Sequence, residues 1–128
     1  MAIASQTLVD SDFELVTKHT ISGTNGTALK VIDASALSGA ATDPRLSIVS
    51  LWWTVSSITE IEWDATSNVT AFSINTNGSY NAGGQALPSI ANNAGSGITG
   101  DIYIENDAAC IGTVIIRCKK VSGFDNIS

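Results

Sequence analysis

Apolar and polar residues alternate through most of the chain, and the period of two predicts strands. In residues 13–22, FELVTKHTIS, the side chains of Phe13, Leu15, Thr17, His19 and Ile21 fall on one face and those of Glu14, Val16, Lys18 and Thr20 on the other. GTNGT at 23–27 predicts a turn, because Asn25-Gly26 accepts the positive φ angles of a tight hairpin, and ALKVID at 28–33 predicts the returning strand. Residues 34–45 are small and polar and contain Gly39 and Pro44, so they predict a connection across a sheet end.

LWWTVSSITEIEWDATSNVTAFSI, residues 51–74, holds all three tryptophans and three of the twelve acidic residues. Its alternation predicts two strands joined by a tight turn at Ser56-Ser57, with Trp53, Ile61 and Trp63 in one core. Trp52 then stands on the other face beside Glu60 and Glu62, the half-wet pattern of an antiparallel sheet. NVTAFSI at 68–74 continues the meander. Residues 75–100 carry six of the eleven glycines and predict a long loop tract, anchored by Tyr80, Leu87 and Ile90. DIYIEN at 101–106 and GTVIIRCKKV at 112–121 predict a closing hairpin, with Cys110 in its loop and Cys118 facing the same way as Val114 and Ile116. The expected fold is all-β, an antiparallel β-sandwich or jelly-roll-like barrel of about seven or eight strands with long loops. Residues 1–128 are expected to form one domain, with 1–12, which precede the first clear strand, either an extended N-terminal arm or a frayed terminus.

Composition narrows the function. Only 14% of residues are charged, with a net charge of −6, so the protein as a whole repels a phosphate backbone and no nucleic-acid partner is expected. No apolar run reaches the ~20 residues of a membrane span, and the start has no basic, apolar leader pattern. Synthesis in a cytoplasm is expected, with no membrane partner. The Asn-x-Ser/Thr sites at Asn25, Asn68, Asn77 and Asn126 therefore read as chance in a chain rich in Asn, Ser and Thr.

Candidate chemistry is sparse. His19 falls among apolar residues, where a packed, hydrogen-bonded imidazole is expected rather than a catalytic one. Eight residues of one strand would hold Cys110 and Cys118 about 26 Å apart, beyond disulfide reach, so two reduced thiols are expected. There is no Cys-x-x-Cys, His pair, phosphate loop or calcium loop, and hence no expected metal or cofactor. Glu60, Glu62 and Asp64 alternate on one strand face; such a row solubilises a face and discourages edge pairing. No enzyme is expected.

The segment from LWWTVSS to NTNGSY, followed by NNAGSGITGDIYIEN and the closing TVIIRCKK, resembles small structural proteins of tailed-bacteriophage particles, most specifically at EWDAT (62–66) and TGDI (99–102). The resemblance spans roughly residues 46–120 and implies a head decoration, or cement, protein whose partner is the major capsid protein. It also implies a place on the virion surface and a symmetric homo-oligomer, a trimer ahead of a dimer. The interface residues expected from the chain's own pattern are Ile3, Leu8 and Val9 in the arm, Trp52, and the loop anchors Tyr80, Leu87 and Ile90. The alternative is a carbohydrate-binding β-sandwich of a virion fibre or spike, using Trp52, Tyr80 and the 75–100 loops with Glu60 or Glu62 as hydroxyl acceptors. A hydrolase would need Glu60 and Glu62 to face a cleft.

Overall fold

The computed structural model describes residues 2–81 and 87–125. Five strands, β1 (Ala2–Asp10), β2 (Glu14–Ile32), β3 (Ala40–Trp63), β4 (Val69–Tyr80) and β5 (Ile102–Phe124), form one antiparallel sheet in the order β1-β2-β5-β3-β4. The all-β, antiparallel class read from the alternation is therefore observed. The sheet is open, with β1 and β4 at its two edges, so the architecture is sandwich-like and no barrel closes. Among the described residues no helix is long and apolar enough to cross a membrane.

Three strands are too long to lie flat. The 24 residues of β3 would extend about 79 Å at ~3.3 Å each. A compact domain of 128 residues is only roughly 36 Å across. The strands must therefore bend, and they bend together. Pairing between β2 and β5 skips after Gly23↔Cys110 and again after Asn25↔Asn106. Pairing between β3 and β5 jumps from Val55↔Gly112 to Glu60↔Glu105, and pairing between β3 and β4 from Val55↔Thr76 to Thr59↔Ile74. These irregularities run across the sheet as one corner, the device by which a sheet folds over on itself. At that corner a Cβ on Gly112 would collide with the Thr54 carbonyl oxygen, so glycine permits the close approach of β3 and β5.

The corner corrects three expectations. Asn25-Gly26, Ser56-Ser57 and residues 107–111 are bends within β2, β3 and β5, not hairpin loops, which is why seven or eight strands become five. Gly, Ser and Asn tolerate a bulge as readily as a turn, and only the partner strand decides which forms. Cys110 accordingly lies inside β5, buried, and both cysteines are free thiols. Burial pushes the Cys118 thiol up to about 12.

Buried Leu15, Ile21, Ile48, Val114 and Ile116 from one side of the corner and Ile61, Trp63, Ile74, Ile102 and Ile104 from the other belong to a single core cluster. Trp53 lies at its margin rather than its centre. Its indole donates to the Asn75 carbonyl at 3.0 Å, and its ring lies 5.7 Å from Phe72, which in turn lies 5.4 Å from Tyr80. His19 is fully buried, with Nδ1 2.8 Å from Ser5 Oγ and Nε2 2.8 Å from Thr17 Oγ1.

Residues 2–10 are not a free arm. They pair with β2 from Ala2↔Ser22 to Asp10↔Leu15. Side-chain contacts hold them as well: Ile3 packs on the core, Ser5 meets His19, Asp10 Oδ1 lies 2.6 Å from Lys120 Nζ, and Asp10 Oδ2 accepts from Ser38 N at 2.8 Å. The EWDAT and TGDI segments interlock at the other end of the sheet. Thr99 Oγ1 donates to Asp64 Oδ2 at 2.7 Å and Asp64 N to the Asp101 carbonyl at 3.1 Å. Asp101 then accepts from Ala34 N at 2.8 Å and pairs with Lys30 at 3.2 Å.

Candidate functional site

Two surface features follow from this geometry. The first is an acidic cleft at the corner. Where β3 and β5 lose register they part, and the gap is a cleft of about 420 Å³ lined by Ser56, Ile58, Glu60, Asn75, Glu105 and Asn106, among others. Glu60 and Glu105 are direct cross-strand partners, and Glu62 follows Glu60 on the same face of β3. One carboxylate oxygen from each of the three lies within 4.8 Å of the other two.

The row Glu60, Glu62, Asp64 is thus not the solvated face that its spacing suggested. Glu62 is only 6% exposed and accepts a 3.1 Å hydrogen bond from Asn68 Nδ2, Glu60 is half-buried, and Asp64 is turned to Thr99. Burial, reinforced by the negative charge of Glu105, holds the Glu60 carboxyl above its usual range; burial and the charge of Glu62 do the same to Glu105. The described ion pairs, Lys30 with Asp101, Arg117 with Glu14 and Lys120 with Asp10, bring no cation to these three acids. Glu105 was visible in the sequence only as a polar position in the alternation of DIYIEN; that it stands opposite Glu60 is a matter of register.

The second feature is the outer face around Trp52 on β3, which β5 and β2 separate from the β1 edge. Trp52 is 36% exposed and pairs with Ile115, which pairs on its other side with Lys18. A shallow groove there is lined by Trp52, Thr54, Asn77, Ser79, Thr113 and Ile115. It does not include Glu60 or Glu62, which lie beyond the corner, so the expected grouping of Trp52 with those acids does not form. Tyr80 is also separate: its ring packs against Phe72 at a tilt of 56° and its hydroxyl donates to the Pro88 carbonyl at 2.7 Å.

The remaining expected interface residues are scattered. Leu8 and Val9 are exposed at the end of β1, while Ile3 is half-buried against the core. Leu87 is exposed and its backbone is held by Asn81, with Asn81 Nδ2 donating to the Leu87 carbonyl at 3.1 Å and Leu87 N to Asn81 Oδ1 at 3.0 Å. Ile90 is half-buried and bridges Ile48 through a reciprocal pair of backbone hydrogen bonds of 2.9 and 2.7 Å. Tyr80 and Ile90 therefore tie the 87–100 segment to the sheet.

Comparison with protein-family models, curated proteins and solved structures finds no match for the chain.

Proposed function

We propose that the chain is a structural protein of a tailed-bacteriophage particle, a decoration protein that binds the outside of the head and clamps neighbouring major capsid subunits. The observation that carries this reading is the β1 edge. AIASQTLVD carries no Lys, Arg or Pro and pairs regularly from Ala2 to Thr7 before a bulge at Leu8, and every side chain from Ala4 to Val9 is exposed. Edge strands of this kind template a further strand, and proteins that must stay alone blunt them with charge, Pro or a covering loop. A capsid segment adding beside β1 would gain main-chain hydrogen bonds, with Leu8 and Val9 as apolar anchors.

The protein needs no reaction for this role. It binds the expanded shell better than the immature one and by mass action stabilises the state it prefers. Binding on lattice axes favours a symmetric homo-oligomer, a trimer ahead of a dimer. The protein is then made in the host cytoplasm and resides on the virion surface.

Because residues 2–10 are part of the sheet, deleting them is a poor test: the loss of Ser5 and Asp10 would unsettle His19 and Lys120. The informative experiment mixes the purified chain with undecorated expanded capsids, pellets the particles and counts bound copies. Saturation at a fixed ratio to capsid subunits is expected, with strong loss in the exposed-edge variant Leu8→Lys. A handful of copies per particle would reject the decoration reading. The Trp52 groove, an aromatic ring among hydroxyl and amide side chains, supports a glycan-binding fibre domain as the second reading. That reading expects glycan to quench tryptophan fluorescence and Trp52→Ala to abolish the effect.

A further inference from the structure

We infer that the groove between the start of β3 and the 87–100 segment is a binding site for a carboxylate on a short apolar body, with the Arg45 guanidinium as its anchor. The groove measures about 330 Å³. One wall is strand: Arg45, Ser47, Val121 and Ser122 come from β3 and β5, which pair here through Arg45↔Ser122. The other wall is loop, with Asn92 and Ile98. The reciprocal Ile48–Ile90 backbone pair ties that loop to β3 beside the groove, so the walls stand before anything binds.

Arg45 spans the gap. Nη1 donates to the Pro44 carbonyl at 3.0 Å on its own strand and Nη2 to the Ile98 carbonyl at 3.4 Å on the opposite wall, which puts the guanidinium between the walls. A guanidinium offers five N–H donors, and these bonds use one on each Nη. The rest have no partner among the described residues, and none of the described ion pairs includes Arg45. No lining residue is acidic, in a chain with twelve acids and six bases, so the groove itself does not neutralise its cation. A second lining residue is also short of an acceptor. Asn92 Oδ1 accepts from Ala94 N at 3.0 Å, which fixes the amide, and the buried Nδ2 has no hydrogen-bond partner. What the lining lacks, then, is acceptors.

An always-protonated planar fork with donors to spare matches a carboxylate. One guanidinium with no second cation in the lining balances one negative charge, which selects a carboxylate over a dianionic phosphate in a chain of net charge −6. Val121, exposed, and Ile98, half-buried, supply apolar surface beside the cation. The volume lies at the small end of the ~300–1,000 Å³ of ligand pockets, which suits a body of roughly four to six carbons. A branched short-chain acid and the last residue of a peptide both present that chemistry. The site is separate from the β1 edge and stands or falls independently of the capsid reading.

The test is an NMR titration of the whole isotope-labelled chain at neutral pH and constant ionic strength. The probe 4-methylpentanoate is expected to give saturable shifts confined to the amides of residues 45–47, 91–98 and 121–122, with a dissociation constant of about 1 mM. Its uncharged isostere 4-methylpentanamide, and inorganic phosphate, should each bind about tenfold more weakly or worse. An acetylated tripeptide ending in leucine separates the two sources of the carboxylate: tighter binding than the acid identifies a chain terminus, equal or weaker binding a free acid. Arg45→Gln should weaken the acid about tenfold or more. Val121→Glu, at an exposed position, should do the same by setting a carboxylate against the guanidinium, and it serves should loss of the Ile98 contact unsettle the first variant. Absence of saturable shifts, an amide or phosphate that matches the acid, or binding that survives both substitutions would overturn the site.

Discussion

Replacing Lys120 with methionine is expected to lower the melting temperature by roughly 11 °C, about 3 kcal/mol, a larger loss than substituting any surface lysine here. The side chain is fully buried, and its three ammonium protons are all engaged. Nζ lies 2.6 Å from Asp10 Oδ1, 2.6 Å from the Ser11 carbonyl and 2.8 Å from the Ser38 carbonyl, and 5.0 Å from the Phe124 ring centroid. One cation thereby gathers the end of β1, the β1–β2 turn, the segment before β3 and the last strand. Methionine fills the volume but takes the cation from a half-buried carboxylate, which keeps only the Ser38 N–H at 2.8 Å, and the donor from two carbonyls, and it is these partners, more than the lost pair, that carry the cost. Asp10→Asn should destabilise by a comparable amount. The double variant should lose clearly less than the sum of the two, because the groups left stranded by each single change are partly removed together. Denaturant unfolding of the four proteins checks this. A Lys120→Met variant within a degree or two of the parent would show that the ion pair contributes nothing net.

That network also marks the boundary of what alternation reveals. Leu15, Thr17, His19 and Ile21 are buried as the period of two required, and so are Thr59, Ile61 and Trp63. Local patterning also correctly placed Trp52 outward and Cys118 inward with Val114 and Ile116. What it missed is non-local. Lys120 sits at the polar-looking end of GTVIIRCKKV, and nothing within that segment tells that Asp10 waits for it 110 residues away. The acidic cluster failed for the same reason: Glu60 and Glu62 were legible as a pair, but their third member comes from β5 and Asp64 leaves for Thr99. The bends were misread through chemistry rather than distance. A bulge and a hairpin draw on the same residues, and the sequence carries no measure of strand length against domain diameter until all partners are known. The N-terminal segment reads as an arm because its alternation is weak; pairing along its whole length with β2 makes it a strand.

Acidification is expected to destabilise the protein by about 3 kcal/mol between pH 6.5 and pH 4 through His19 alone, the only histidine in the chain. Burial without a charged partner depresses its pKa from 6.5 to about 4. Ser5 and Thr17 hydroxyls satisfy both ring nitrogens of the neutral form, each hydroxyl serving as donor or acceptor as the tautomer requires. In the unfolded chain the imidazole takes up its proton near 6.5, whereas in the native state it resists until about 4, so across that window the unfolded state binds more protons. Stability is therefore complete above 6.5 and falls as pH falls, with a slope approaching ~1.4 kcal/mol per unit. Glu60 and Glu105 act in the opposite sense. Their carboxyls are held above the ordinary value of 4.5, so the native state binds protons more readily there, and their ionisation costs stability as pH rises from about 4.5. Both are half-buried, and the water that still reaches them screens their contribution, so the histidine dominates. Denaturant midpoints followed from pH 7.5 to pH 4 should thus decline in the parent. His19→Gln, whatever its absolute stability, should lose most of the slope between 6.5 and 5. An unchanged slope in that variant, or an imidazole seen by NMR to titrate near 6.5 in the folded protein, would remove His19 from the account.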